Sequence, residues 1–371
     1  MYNCHDDMIA YHDSKVTLPE AERTEMRDRR NTNRQRLKDG LKRDGEPAPI
    51  GCHSQGSYAM RTMVQHPAKD YDIDDGVYFR KEDLKGPRGA DRSPADVKEM
   101  VRKALHDDKF TRPPEVRTNC VRVYYNVGYH VDIPVYRKVT EKNIFGQEET
   151  WYELASTEWK RSDPLGVTNW FNDENQRQSP DSNNGGQLRR VTRYQKAFAG
   201  SRESWRLRIA SGFMITKLVT ERYRPNAARE DQALYDTMVA IRDRLKWDLE
   251  IDHPTVPGEK LTKGPEDAQS RFLKDKLDWA IDELEVLFDP GCTRKQALKA
   301  WDKVFSTDFF INRLSVEDSK EKSASQGAGL GTAAAVGAAV GLTAAILSGR
   351  NSAEARAPDK PVDKRGGGRY A

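Results

Sequence analysis

The sequence predicts an α+β protein: a mixed sheet in the first half of the chain and helices in the second. Three observations carry this. Residues 71–80 and 116–136 alternate apolar and polar side chains with a period of two, the pattern of half-buried strands. Beyond residue 202 the apolar spacing changes to three and four, as in Leu234, Met238, Ile241, Leu245 and Leu249. From residue 313 the chain is polar at both ends and Ala/Gly-rich between, the composition of a tail. The expected organisation is an N-terminal helix plus sheet domain over 1–200, a helical domain over 201–312, and a disordered or weakly helical tail over 313–371.

Taken in order, residues 17–44 predict a long first helix. Thr17 and Glu20 have the spacing of a capping box, with Pro19 in the first turn. Its apolar stripe is only Met26, Leu37 and Leu41, so it should brace the core from outside. A Gly-Ser turn at 56–57 precedes the strand at 71–80. Residues 81–92 hold Gly86, Pro87 and Gly89 and read as a loop. Ser93, Pro94 and Asp96 open a helix that runs to about His106. Two strands follow, with Val121, Val123 and Tyr125 on one and Val131, Ile133 and Val135 on the other. Their turn falls at 126–128. Residues 151–204 give one strand-like run, WYEL, and a turn-rich loop at 179–187. Helices are expected at 205–223, 229–249, 266–288 and 293–305, with a Pro/Gly loop at 253–265; their Leu and Trp residues read as packing.

Composition excludes several classes of function. The 371 residues carry 62 Lys and Arg against 58 Asp and Glu, a net charge of +4 with the signs mixed. A dedicated nucleic-acid binder needs a segregated basic face, so no stable nucleic-acid partner is expected. Cysteines at 4, 52, 120 and 292 lack CxxC spacing and read as reduced thiols. The N-terminus lacks the basic-then-apolar pattern of a signal peptide, which points to the cytoplasm. The stretch 328–348 is uncharged over spanning length, yet it is mostly Ala and Gly and would insert poorly, so a membrane role is not expected. Gly329, Gly331 and Ala334 match a dinucleotide fingerprint in form only, because no strand precedes them.

The chemistry gathers at three aspartates. Residues two apart on a strand share a face, so Asp72 and Asp74 project together, opposite Ile73 and Asp75. Asp132 lies between Val131 and Ile133 and leaves the apolar face as well. Carboxylates suit a hard divalent cation, and a pair of Mg²⁺ ions can activate a hydroxyl and stabilise a pyrophosphate leaving group. Gly56 lets backbone approach a phosphate, and Ser57 can donate to it. A DxD pair is common on surfaces and a Gly-Ser pair carries little alone. Their combination with a third strand aspartate points to nucleotidyl transfer.

Gln55-Gly56-Ser57, YDIDDGVYF at 71–79 and HVDIPVY at 130–136 resemble the polymerase-β-like nucleotidyltransferases, within them the bacterial cGAS/DncV-like group (CD-NTases). The resemblance covers residues 15–312. It implies a nucleotidyltransferase palm followed by a helical domain like that of oligoadenylate synthases. It also implies an enzyme that joins ATP, with or without GTP, into a cyclic di- or trinucleotide second messenger for an effector in CBASS antiviral defence. The DIDDG form implies 3′,3′-cGAMP. By the resemblance Asp72, Asp74 and Asp132 are catalytic and hold two Mg²⁺, with Mn²⁺ able to substitute. Gln55, Gly56, Ser57 and Tyr58 border the nucleotide, and Lys217 stands as a triphosphate ligand, with Ser211 on the same helix as a weaker choice. A ubiquitin-transfer-like partner acting on the C-terminal tail is a further implication. Two other readings are a nucleotidyltransferase that modifies RNA or protein, and a non-catalytic partner-binding module. Three intact aspartates argue against the second.

Overall fold

The two alternating runs become neighbours in one sheet. A computed structural model describes residues 1–66, 71–125 and 129–315 of the chain. Its strands are β1 (Gly51–Gln55), β2 (Asp72–Arg80), β3 (Glu115–Val116), β4 (Val121–Tyr124), β5 (His130–Ile133), β6 (Val135–Lys142), β7 (Glu148–Ala155) and β8 (Trp159–Arg161). Its helices are α1 (His5–Tyr11), α2 (Glu20–Arg43), α3 (Gly56–Ala59), α4 (Pro94–Leu105), α5 (Pro164–Gln178), α6 (Gln187–Gly200), α7 (Gly212–Arg222), α8 (Glu230–Trp247), α9 (Ala268–Leu284) and α10 (Arg294–Phe305). The turn expected at 126–128 and the Ala/Gly run at 328–348 lie outside the described residues. Among those described, no helix is long and apolar enough to cross a membrane.

Strand β2 is the spine. It pairs antiparallel with β1 and parallel with β5 and β6, so the sheet is mixed. Pro134 separates β5 from β6, and its carbonyl accepts the Val77 amide at 2.9 Å. The interruption therefore leaves the β2 ladder bonded. Strand β4 pairs with β5, and β7 with β6, both antiparallel.

The two faces of the sheet differ as the alternation predicts. Ile73, Val77, Phe79, Val131, Ile133 and Val135 are buried in one cluster with Met26, Leu37 and Leu41 of α2 and Val97 and Val101 of α4. Each such side chain contributes about 1.5–3 kcal/mol on burial. Helix α2 lies close on α4 because position 40 is glycine: a Cβ there would meet the Ala104 carbonyl oxygen at 1.9 Å. On the other face, Tyr78 and Tyr136 stack at 4.7 Å and pack with Leu154, Tyr152 and Leu165 of α5.

Several boundaries depart from expectation. The capping box does not form: Thr17 is extended and bridges Val64, and α2 starts after Pro19 with no side-chain cap. Residues 205–223 are not one helix. A short 3-10 turn ends at Trp205, and α7 restarts at Gly212 with the Ser211 hydroxyl capping the Met214 amide at 3.2 Å. The run 266–288 is α9 followed by a 3-10 turn, Glu285–Phe288. Ser93 does cap α4, in a reciprocal box with Asp96. Four helices had no forecast: α1, the short α3, α5, and α6 directly after the turn-rich loop.

Residues 1–16 form part of the helical layer. The Tyr2 amide bonds the Leu287 carbonyl, the Cys4 amide bonds Asp231, and the Tyr194 hydroxyl bonds the Met8 carbonyl. Tyr11 packs among Phe305, Phe309 and Phe310. The N-terminus thus enters the fold beside α6, α8 and α10, then crosses to the sheet through α2.

Candidate active site

The strand register assembles the carboxylates. On the parallel pair, Asp72 lies opposite His130 and Asp74 opposite Asp132. Register partners project to the same face, so these four side chains converge on the polar face, away from the Ile73 and Val131 core. Asp72 and Asp132 lie with His130 in a group whose ligand atoms are all within 4.8 Å of one another, a spacing that suits a metal ion. Asp72 is half exposed and contacts the His130 ring; Asp132 is buried.

Charge is unevenly balanced here. Arg122, opposite Asp132 on β4, grips its carboxylate with two hydrogen bonds of 2.7 Å. Asp74 lies opposite Asp132 on the parallel pair, and its pKa is pushed well above the usual carboxylate range. Burial is the largest cause, then the charges of Asp132 and Asp72. Carboxylates crowded around one guanidinium need further positive charge to stay ionised together. Oxygen donors at this spacing fit a hard divalent cation, so Asp72, Asp74 and Asp132 are a suitable donor set.

The Gly-Ser turn sits at the end of β1, against β2. Gly56 has φ +60°, a left-handed conformation that favours glycine. Ser57 follows in α3, and its carbonyl accepts the Thr62 amide at 2.8 Å. Gln55 is turned into the sheet: its amide nitrogen donates to the Tyr78 hydroxyl at 2.6 Å, and its oxygen accepts from Tyr136 at 3.0 Å. Gly76 makes room for this amide, since a Cβ there would meet Gln55 Nε2 at 2.0 Å. Tyr58 packs against the α2 side of the sheet, under Arg30.

The structure thus brings Asp72, Asp74 and Asp132 together. It places the Gln55 side chain in a buried tyrosine network and Tyr58 against the α2 layer. Lys217 stands in α7 and ion-pairs with Glu221 one turn on, at 3.1 Å. A different lysine meets the segment that follows the Gly-Ser turn. Lys196 of α6 donates to Thr62 Oγ1 at 2.8 Å, and its ammonium would lie 3.8 Å from a Cβ on Gly212, at the first turn of α7. Burial lowers its pKa to about 7, with Arg193 as the next cause. Arg189, Arg193 and Lys196 form one stripe on α6, at steps of four and three. They donate to the Met60 carbonyl, the Arg61 carbonyl and the Thr62 hydroxyl in turn. Three consecutive residues after the Gly-Ser turn are held this way.

Three contributors escaped sequence reasoning. Arg122 and His130 share the phase of Asp132 along their strands, and a charge inside VRVY was a readable signal. Lys196 had a signal in the cation spacing of RRVTRYQK, passed over because residues after the turn-rich loop at 179–187 were given no element.

Residues 51–136 match the family model for the cyclic GMP-AMP synthase DncV-like nucleotidyltransferase domain. Solved structures share the fold at low identity. Vibrio cholerae DncV with the linear intermediate pppA(3′,5′)pG is 18% identical with a TM-score of 0.62, over 82% of this chain and 96% of that one. Bradyrhizobium diazoefficiens CD-NTase CdnG with GTP is 17% identical at 0.62, over 83% and 98%. Escherichia coli DncV with 3′-deoxy GTP is 17% identical at 0.58, over 79% and 92%. The fold is that of polymerase-β-like nucleotidyltransferases, a mixed sheet with a helical layer.

Proposed function

We propose, for a chain whose residues 51–136 form a DncV-like nucleotidyltransferase domain, that it joins nucleoside triphosphates into a cyclic oligonucleotide. The observation that carries this reading is the convergence of Asp72, Asp74 and Asp132 on one sheet face beside the Gly56-Ser57 turn. The substrates are ATP, with or without GTP, and 3′,3′-cGAMP is the product that the DIDDG form favours. The relatives' complexes with GTP and with a linear adenylyl-guanylate intermediate support that choice. The reading keeps a palm over 1–200 and a helical domain over 201–312. It places the reaction in the cytoplasm, and the product acts on a downstream effector in antiviral defence. Conjugation of the C-terminal tail by a ubiquitin-transfer-like partner belongs to the same reading.

Asp72, Asp74 and Asp132 would hold two Mg²⁺ ions. Bound there, such ions supply charge for the leaving pyrophosphate and acidify the attacking hydroxyl. The protein's own groups do the rest. The Gly56-Ser57 turn and Lys196 orient the triphosphate, and protonated Lys196 places a positive charge against it. Arg122 fixes Asp132 in one rotamer through its two hydrogen bonds. The Asp132 carboxylate is then aimed at the polar face, where it can accept the proton of an incoming hydroxyl. A linear dinucleotide that rebinds in the same cleft closes by a second transfer of the same kind.

Incubation with labelled ATP and GTP in Mg²⁺, followed by phosphatase, tests the proposal. A cyclic product has no terminal phosphate and keeps its label. Complete loss of label, or label found on RNA or protein, refutes it.

A further inference from the structure

The Gly-Ser turn has a second side. Gln55 pairs in register with Asp74, whereas Ser54 pairs with Asp75 and donates to its carboxylate at 3.0 Å. On this Ser54 side, between the start of α2, the end of β1 and α3, lies a cavity of about 550 Å³. Its charged lining is Arg23, Arg30, Arg61 and Arg193, with a single carboxylate, Glu20. Glu20 pairs with Arg23 at 3.1 Å, on the exposed edge.

The other arginines are placed differently from most in this protein. Several enclosed guanidiniums elsewhere meet acids: Arg34 with Asp75, Arg122 with Asp132, Arg190 with Glu230 and Asp181; buried Arg189, next to this group on α6, bonds carbonyls and Asn172 instead. Arg193 is only 6% exposed, yet it bonds the Arg61 and Asn184 carbonyls and faces His12 Nε2 at 3.3 Å. Burial and the charges of Arg189, Arg23, Arg190 and Arg61 lower its pKa to about 10. Arg30 bonds Ser54 and Asn31 and lies over the Tyr58 ring at 5.6 Å. Arg61 is held at φ +54°, an unusual conformation for a residue with a side chain, at the rim. Among the described residues none of these three has a carboxylate partner. Their converging positive potential is what an anion would relieve.

We infer that this cavity is a second ligand site, distinct from the catalytic face, for a nucleotide-sized phosphorylated molecule: phosphate among Arg30, Arg61 and Arg193, and a planar ring on Tyr58. Guanidinium forks match phosphate oxygens in pairs, and the volume is within the range of small-molecule pockets. Tyr58, Ala59 and Arg61 belong to the same turn as Ser57 and Thr62. Occupancy would therefore stiffen the turn that meets the substrate triphosphate from its other side. The inference concerns a site outside the proposed reaction and stands whether or not that reaction is the right one.

Calorimetric titration of the full chain with inorganic tripolyphosphate, and separately with ATP, tests it in excess EDTA. No turnover occurs there, so the result is independent of nucleotidyl transfer. Arg61→Glu and Arg30→Gln should each weaken tripolyphosphate binding at least roughly tenfold, the worth of a charged hydrogen bond. The arginine-dependent part of the binding should persist in Lys196→Gln and Asp74→Asn, which alter only the substrate side of the turn. ATP should bind more tightly than tripolyphosphate, and Tyr58→Leu should remove that difference. Arg61 is exposed, so Arg61→Ala keeps the test valid if the charge reversal misfolds. The inference is overturned if tripolyphosphate does not bind, or if Lys196→Gln abolishes binding while the arginine variants retain it.

Discussion

Asp74 and Asp132 face each other across one strand pair, yet their removal should have opposite effects on stability. Asp74→Asn relieves a buried charge that is crowded by two other carboxylates. Without divalent metal it should raise the melting temperature by a few degrees, consistent with roughly 1 kcal/mol, while transfer activity falls at least about a thousandfold. Asp132→Asn strands Arg122, which is only 12% exposed, and should cost about 2–4 kcal/mol. Thermal melts in EDTA separate the two cases; equal shifts would contradict the charge balance described for the site. Lys196 gives a pH signature. Its ammonium form is depressed to about 7 in the folded protein, whereas a free lysine titrates near 10.4. A triphosphate favours the charged form, so its affinity is greatest below pH 7 and falls as pH rises above it. The KM for nucleotide should climb toward about tenfold per pH unit on that side. Lys196→Arg should flatten the profile; a wild-type KM that is constant from pH 6.5 to 8.5 would rule this role out.

Among the elements, those whose periodicity met no interruption were legible. Strands β2 and β5 declared themselves by alternation, and with them the face of Asp72, Asp74 and Asp132. Register is a different matter. Nothing in the sequence says that Asp74 pairs with Asp132 rather than with His130, because pairing is decided by packing against α2 and α4. Helix α6 was hidden because SPDSNNGG reads as turn, although Gln187 to Gly200 is a regular helix, with Asn175 of α5 and Ser179 just past its end accepting the amides of Arg189 and Leu188. The α2–α4 contact was also illegible, since it depends on the absence of a side chain. Gly40→Ala distinguishes the two levels of reasoning. By helix propensity alone the substitution should stabilise α2 by about 1 kcal/mol. The Ala104 carbonyl occupies the space of the new methyl, so the helices must separate, at a net loss of about 1–3 kcal/mol. Urea midpoints decide the sign.

At the scale of the whole molecule, the N-terminal sixteen residues are tied into the helical layer by several contacts, and a buried histidine lies at one of them. His12 is fully buried beneath Tyr194, with Asp13 at 2.8 Å from Nδ1, Thr17 near the ring and Arg193 at 3.3 Å from Nε2. Burial is the main reason that its pKa falls to about 4; Asp13 opposes the shift and Arg193 adds to it. The unfolded chain protonates this residue near 6.5, while the folded chain keeps it neutral down to about 4. Between those values the unfolded state binds the extra proton. The stabilisation is therefore complete above pH 6.5 and is lost as pH falls toward 4, at about 1.4 kcal/mol per pH unit and about 3 kcal/mol in all. That is a large share of a typical folding free energy of about 5–15 kcal/mol. His12→Asn should be less stable at pH 7 but lose less between pH 6.5 and 4. Deleting residues 1–16 tests the same strap without titration. It uncovers Tyr194, Phe305 and Phe310, takes the Cys4 amide from Asp231 and removes the His5 ring that accepts the Glu230 amide. The deletion should lower the melting temperature by at least about 10 °C, since several kcal/mol of apolar burial and paired charge leave with it. A deleted chain that melts with the full-length protein would show that the helical layer and the sheet are held together without the N-terminus.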